Sequence, residues 1–289
     1  MLHPVTIMSE GIRLAGDLFV PEGLAAGEQR PALLLCHGWG GLKQHLSAAY
    51  APRFCDEGYV VLTFDYRGWG ESDGRLVPAT EEPLPTGVEI VSLQARVVRE
   101  VVDPIEQALD VRNCLDFLVG EDLVDPDRVG LWGSSYGGGM VVWTAAHDHR
   151  VKAMVAQVGS FGMDLTEELR TFLDFRGRQR ARGEIDWPTG LDQDSIPNLN
   201  GAPDYAKFRN YDVRAAATQV AAATMVIDVD NEEYVDVDKH GKAVADIISR
   251  NAPVAYHRFS GSHYEIYEGA LLEQATDLAV AWYAEHLRG

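Results

Sequence analysis

Short runs of β-branched and aliphatic residues alternate with longer stretches of helical spacing along most of the chain. Val5 to Ile7 and Ile12 to Val20 read as antiparallel strands around a Ser9-Glu10-Gly11 turn. Ala32 to Cys36 is a continuous apolar run, as in a parallel strand buried on both faces. A helix is predicted over Ser47 to Glu57, and a strand over Tyr59 to Phe64 that breaks into the Gly-rich Asp65-Tyr66-Arg67-Gly68-Trp69-Gly70. Residues 74 to 100 carry prolines and no clear period, so they read as an excursion over the surface. Helix (Pro104 to Val119), strand (Arg128 to Trp132), helix (Gly137 to Ala146) and strand (Val151 to Val158) follow. This rhythm calls for right-handed crossovers and a mostly parallel sheet.

The rhythm stops between Gly159 and about Thr218, where a polar, partly helical segment leads into the Pro/Asn-rich Ser195 to Asp204. It resumes as a strand (Thr224 to Val229), a helix (Val237 to Arg250), a strand (Val254 to Phe259) and a closing helix (Leu271 to Leu287). The expected organisation is an α/β core of residues 1–159 and 216–289 with an insertion over 160–215.

Charge narrows the partners. Twenty-five Lys and Arg against 44 Asp and Glu give a net charge of −19, which repels phosphate backbones and anionic lipid headgroups. No nucleic-acid or membrane partner is therefore expected, and no run has the length of a membrane helix. The N-terminus lacks the pattern of a signal peptide. Cys36, Cys55 and Cys114 are widely spaced, with no metal-ligand spacing. Free thiols in a reducing, cytoplasmic setting are the expectation, with room left for a homo-oligomer.

Gly133-Ser134-Ser135-Tyr136-Gly137 matches G-x-S-x-G between a predicted strand and a predicted helix. That context makes Ser135 a candidate nucleophile in a tight turn at the strand's end. A serine hydroxyl needs an adjacent base held by a third group. Of nine histidines, His263 alone lies between the last strand and the last helix. The acid should follow the preceding strand, where Asp228, Asp230, Glu232, Glu233, Asp236 and Asp238 crowd together. Glu232, where the loop turns towards the next helix, is favoured, with Asp230 the alternative. A calcium loop is the other sharp reading of this run. It fails for want of the required Gly and because Lys239 stands where the bidentate Glu belongs.

The order Ser135, Glu232, His263 is that of the α/β-hydrolase fold, and the chain resembles its dienelactone-hydrolase-like and esterase branch. His37-Gly38-Trp39-Gly40-Gly41 resembles the family's oxyanion loop, and Asp65 to Ser72 its D-x-R-G-x-G-x-S turn. The segments around Glu232 and Gly261-Ser262-His263-Tyr264 are similar to those bearing its acid and histidine. The resemblance implies an oxyanion hole built from the N–H groups of Tyr136 and Trp39, and a helical cap made by the insertion. It also implies hydrolysis of a small or medium carboxylic ester through an acyl-enzyme, with no cofactor and no metal. Asp65 and Arg67 are expected to pin their turn as a pair.

Arg176, Arg178, Arg180 and Arg182 are the one concentration of positive charge. They suit recognition of a substrate carboxylate or, the favoured reading, a solvated helix face paired with Glu167, Glu168 and Asp174. Phe172, Leu173, Phe175 and Trp187 are expected to pack the cap or line its pocket. The same triad serves peptidases, thioesterases and acyltransferases, and Ser135-Tyr136-Gly137-Gly138 also resembles the elbow of prolyl-oligopeptidase-like enzymes. A ligand-binding protein on a hydrolase scaffold is the non-catalytic alternative. An Asp nucleophile, as in haloalkane dehalogenases, is disfavoured by Ser135.

Overall fold

The computed structural model describes residues 1–80, 83–87, 90–188 and 199–288. The chain begins with an antiparallel pair, β1 (Leu2–Ser9) and β2 (Ile12–Phe19). After β3 (Arg30–Cys36) come two short helices, α1 (Lys43–Ala49) and α2 (Ala51–Asp56), and then β4 (Val60–Phe64). The pattern predicts one helix here. Two form because Pro52, in the first turn of α2, has no N–H to carry the ladder past Tyr50. The stretch expected to be irregular holds an antiparallel hairpin, β5 (Arg75–Pro78) with β6 (Ala95–Val98), followed by the short β7 (Val101–Val102).

The next elements are α3 (Pro104–Val119), β8 (Val124–Ser134), α4 (Tyr136–His147) and β9 (Val151–Gln157). Asp103 caps α3 by accepting from the N–H groups of Ile105 and Glu106, with Pro104 at the first helical position. The chain then leaves the sheet for α5 (Glu167–Ala181), β10 (Ala202–Pro203), α6 (Tyr205–Phe208) and α7 (Val213–Ala217). Residues 195–198 of the Pro/Asn-rich segment lie outside the described residues. The chain re-enters as β11 (Ala223–Asn231) and ends with α8 (Gly241–Ile248), β12 (Val254–Ser262) and α9 (Gly269–Leu287).

Eight strands form one sheet in the order β1-β2-β4-β3-β8-β9-β11-β12, parallel from β4 to β12. Period-two alternation sends side chains to both faces, and each face is covered. Ala32, Leu34 and Cys36 of β3 pack with Val111 and Leu115 of α3, Met140 of α4 and Val244 of α8. Leu33 and Leu35 pack on the other side with Phe54 of α2 and Ala279 and Tyr283 of α9. A strand buried on both sides must be apolar at every position, which is why its sequence shows no alternation.

The strand order reverses at β3, which pairs with β4 on one side and β8 on the other. In a parallel sheet the connections leaving such strands part in opposite directions. A crevice opens at their carboxyl ends, and the loops after β3 and β8 both reach it.

Candidate active site

Ser135 stands between the last residue of β8 and the first of α4, with a φ of +55° that an L side chain rarely adopts. Close backbone packing imposes this turn. A Cβ on Gly137 would lie 2.2 Å from the carbonyl oxygen of Cys36, and one on Gly38 would lie 3.0 Å from Ser135 Cβ. The loop after β3 therefore passes against the serine. Gly137→Ala should destabilise the protein by about 3 kcal/mol or more, since the obstacle is backbone and cannot rotate away. Urea denaturation checks this.

Tyr136 opens α4, so its N–H has no intrahelical acceptor. Its buried hydroxyl donates to Gln107 Oε1 at 2.7 Å, which anchors the elbow to α3. Trp39 lies in the loop after β3 and stacks on Phe208 of α6, with ring centroids 6.0 Å apart.

The acid and the histidine come together through strand register. β11 and β12 are parallel neighbours, and Asn231 is the register partner of Ser262. The next residue on each strand is Glu232 and His263. Both carboxylate oxygens of Glu232 lie on His263 Nδ1, at 2.7 and 2.9 Å, and both side chains are almost fully buried. Glu233 also accepts from the His263 N–H at 2.9 Å. Asp230 instead pairs with Arg258 at 2.7 Å, with about half of its side chain exposed.

The other carboxylates of the acidic run have different tasks. Asp236 pairs with Lys239. Asp228 is buried near the start of α8, and burial pushes its carboxyl up to about 7. Around the histidine, Tyr234, Tyr264 and Tyr267 pack edge-on, at 4.9, 5.3 and 6.0 Å between centroids. Tyr267 also bonds Ser134, the neighbour of the candidate nucleophile, at 2.8 Å. Ser135 Oγ makes no hydrogen bond among the described residues; such contacts are often loose in the absence of substrate.

A cavity of about 390 Å³ opens over Ser135. Trp39, Tyr136, Met163, Tyr205, Phe208 and Tyr234 give it an aromatic and apolar wall, and Ser160, Asp164, Asp236 and His240 add polar groups. Sequence reasoning missed His240, because the predicted helix over Val237 to Arg250 absorbed it. The observed helix starts at Gly241, leaving His240 just before its first turn.

Two expectations are corrected. Asp65 and Arg67 do not pair with each other. Asp65 accepts from the Lys43 and Glu71 N–H groups, whereas Arg67 bonds the buried Asp110 and also Ser9 and Glu106. The arginine cluster does not use Glu167, Glu168 or Asp174. Arg180 grips the buried Asp204 at 2.5 and 2.6 Å, Arg182 pairs with Glu184, and Asp174 pairs with Arg209. Of the apolar residues expected to pack the segment or line its pocket, Leu173 is fully buried and Phe172 packs edge-on against Tyr205 of α6 at 5.8 Å between centroids, whereas Phe175 is about half exposed. Trp187 packs under the cations of Arg75, Arg180 and Lys207, at 4.8 to 5.1 Å.

His37 is buried, and burial lowers it to about 4. An unfolded chain binds this proton near pH 6.5, so between about 6.5 and 4 the unfolded state holds more protons. Stability is fully present above 6.5 and falls as pH drops through this window, by up to about 1.4 kcal/mol per pH unit. A His37→Gln variant should show a shallower loss from pH 6.5 to 4.5 in denaturant titrations.

A switch-point crevice, a serine on a strained strand-to-helix turn and a carboxylate-held histidine after the last strand define a serine hydrolase of the α/β-hydrolase fold. The chain belongs to the family described as X-Pro dipeptidyl-peptidase (S15 family), which it matches over residues 10–224. It is 27% identical, over 97% of its length and 98% of the relative's, to an uncharacterized 31.7 kDa protein of the traX-finO intergenic region of Escherichia coli. Among solved structures it superposes on DcsB in complex with its substrate analogue, with a TM-score of 0.77, 18% identity and 100% of both chains covered. It also superposes on the α/β hydrolase GrgF from Penicillium sp. sh18, at 0.74, 18% and 100% of both. At such identities these structures establish the fold alone. Among the described residues no helix is long and apolar enough to cross a membrane.

Proposed function

We propose that the protein hydrolyses carboxylic esters with Ser135, His263 and Glu232 as its triad. The observation that carries this reading is the two-oxygen contact of Glu232 with His263 Nδ1. It holds the proton on Nδ1 and leaves Nε2 as the ring nitrogen able to accept another. His263 takes the Ser135 proton as Oγ attacks the acyl carbon, and the N–H groups of Trp39 and Tyr136 stabilise the oxyanion. The alcohol leaves with the proton held by His263. Water activated by His263 then attacks the acyl-enzyme and releases the acid. In this reading residues 160–215 act as a cap. Leu169, Tyr205, Phe208 and Tyr211 supply apolar and aromatic cavity wall suited to a small or medium acyl compound. The free thiols of Cys36, Cys55 and Cys114 fit a cytoplasmic setting.

Family membership favours a second reading, release of an Xaa-Pro dipeptide. That chemistry needs a free carboxylate for the substrate's terminal ammonium. The two carboxylates that line the cavity among the described residues, Asp164 and Asp236, already face Arg214 at 2.7 Å and Lys239 at 3.0 Å. Ester hydrolysis needs no such group and is preferred. The test is fluorophosphonate labelling with peptide mapping, followed by a panel of esters, thioesters and Xaa-Pro amides. Labelling at Ser135 with ester turnover is expected. Faster turnover of Xaa-Pro amides would transfer the assignment to the peptidase reading, and absence of both labelling and turnover would remove the hydrolase mechanism.

A further inference from the structure

Among the polar groups of the cavity that ester hydrolysis leaves without a task is His240. His240 precedes α8, is 5% exposed, and shares the cavity wall with Ser135, Ser160 and Tyr234. Its Nδ1 accepts from the Phe161 N–H at 3.2 Å. An acceptor at Nδ1 places the ring proton on Nε2, and Nε2 has no partner among the described residues. Burial lowers the imidazole's pKa, which keeps the ring neutral and the tautomer defined.

The surroundings also select the ligand's charge. Asp164 and Asp236 line the same cavity, whereas no lysine or arginine does among the described residues. An anionic group would find no cation among the described residues of that wall to pair with, and the two carboxylates already hold Arg214 and Lys239. An uncharged oxygen would meet a fixed donor inside an aromatic wall, where an unmatched polar group is costly and a matched one discriminates.

We propose that the Nε2–H of His240 donates to a second, uncharged oxygen of the substrate, a keto, hydroxyl or ether oxygen, and so selects oxygenated esters over their plain counterparts. This rests on the ester-hydrolase reading of Ser135.

The test compares two matched pairs of esters, one oxygenated in the acyl half and one in the alcohol half, each against its deoxy counterpart. His240→Asn keeps an acceptor near the Phe161 N–H and removes the distal donor. His240→Gln keeps a distal donor and gives up that acceptor. The wild type should favour the oxygenated member of one pair by at least about tenfold in kcat/KM. His240→Asn should lose the preference while hydrolysing the plain ester within about threefold of wild type, as one hydrogen bond removed from one substrate predicts. His240→Gln should retain it. A wild type without preference, or a preference that survives in His240→Asn, overturns the proposal; a merely structural histidine would slow both members equally. Should Ser135 take no fluorophosphonate and neither ester turn over, the hydrolase reading fails by itself. Calorimetric binding of the same pairs to S135A and S135A/H240N then tests His240 directly. Tighter binding of an oxygenated member that is lost in the double variant supports it, and equal binding overturns it.

Discussion

Ser135→Ala should lower kcat by at least about 10³-fold while leaving the protein as stable as before. The size of the loss follows from removing the nucleophile of a unit whose members act together, so little remains beyond binding and the oxyanion donors. Stability should change by no more than about 0.5 kcal/mol, because the Ser135 hydroxyl makes no hydrogen bond to lose among the described residues. The positive φ is equally unfavourable for serine and alanine, so strain at the turn is unchanged. Initial rates on an ester found by the panel, beside a thermal unfolding curve, provide both readouts. Retained turnover in a correctly folded variant would exclude the acyl-enzyme mechanism.

The second large effect belongs to Glu232. In Glu232→Gln the carboxylate that faces His263 Nδ1 becomes neutral and gains a donor. An amide N–H aimed at Nδ1 moves the ring proton to Nε2, where it blocks proton transfer from serine. An amide oxygen aimed there still fails to stabilise the imidazolium. A loss of about 10²–10⁴ in kcat is expected, with fluorophosphonate labelling slowed in parallel. Asp230→Asn should stay within about twofold of wild type, since that side chain lies half-exposed on Arg258 and such surface pairs contribute little. A larger loss in Asp230→Asn would reverse the assignment of the acid.

These two variants mark the boundary of what could be read from the chain alone. The elbow was legible because its constraint is local: a strand, a serine and small residues in five consecutive positions leave few alternatives. The buried strands were legible for the same reason, their uninterrupted apolar runs fitting a sheet covered on both faces. His263 could be located because connectivity alone puts it between the final strand and the final helix. Between Glu232 and Asp230 the residues offer a preference and no decision, since both are carboxylates within three residues of one strand. Register decides where each one goes. Asn231 pairs with Ser262, so the following residues meet across the ends of two neighbouring strands, and Asp230 turns to Arg258.

The arginines show the opposite limit. A helix-periodic cluster of one charge points to partners three and four residues away, yet Arg180 finds Asp204 and Arg209 finds Asp174. Those pairings depend on how the segment after β9 folds back, which no local period records. His240 was hidden for a related reason. Helical spacing places it inside a helix, whereas its role as cavity wall follows from where the packing of α8 against the sheet sets the helix start.

Sequence by itself thus determined the α/β class, the parallel sheet, the candidate nucleophile and the candidate base, because backbone conformation and strand burial are written in neighbouring residues. Tertiary structure alone decided which carboxylate meets the histidine, that Arg180 is held by the distant Asp204, and which donors line the cavity. Those outcomes rest on contacts between residues distant in the chain, fixed by strand register and by the return of the segment between β9 and β11.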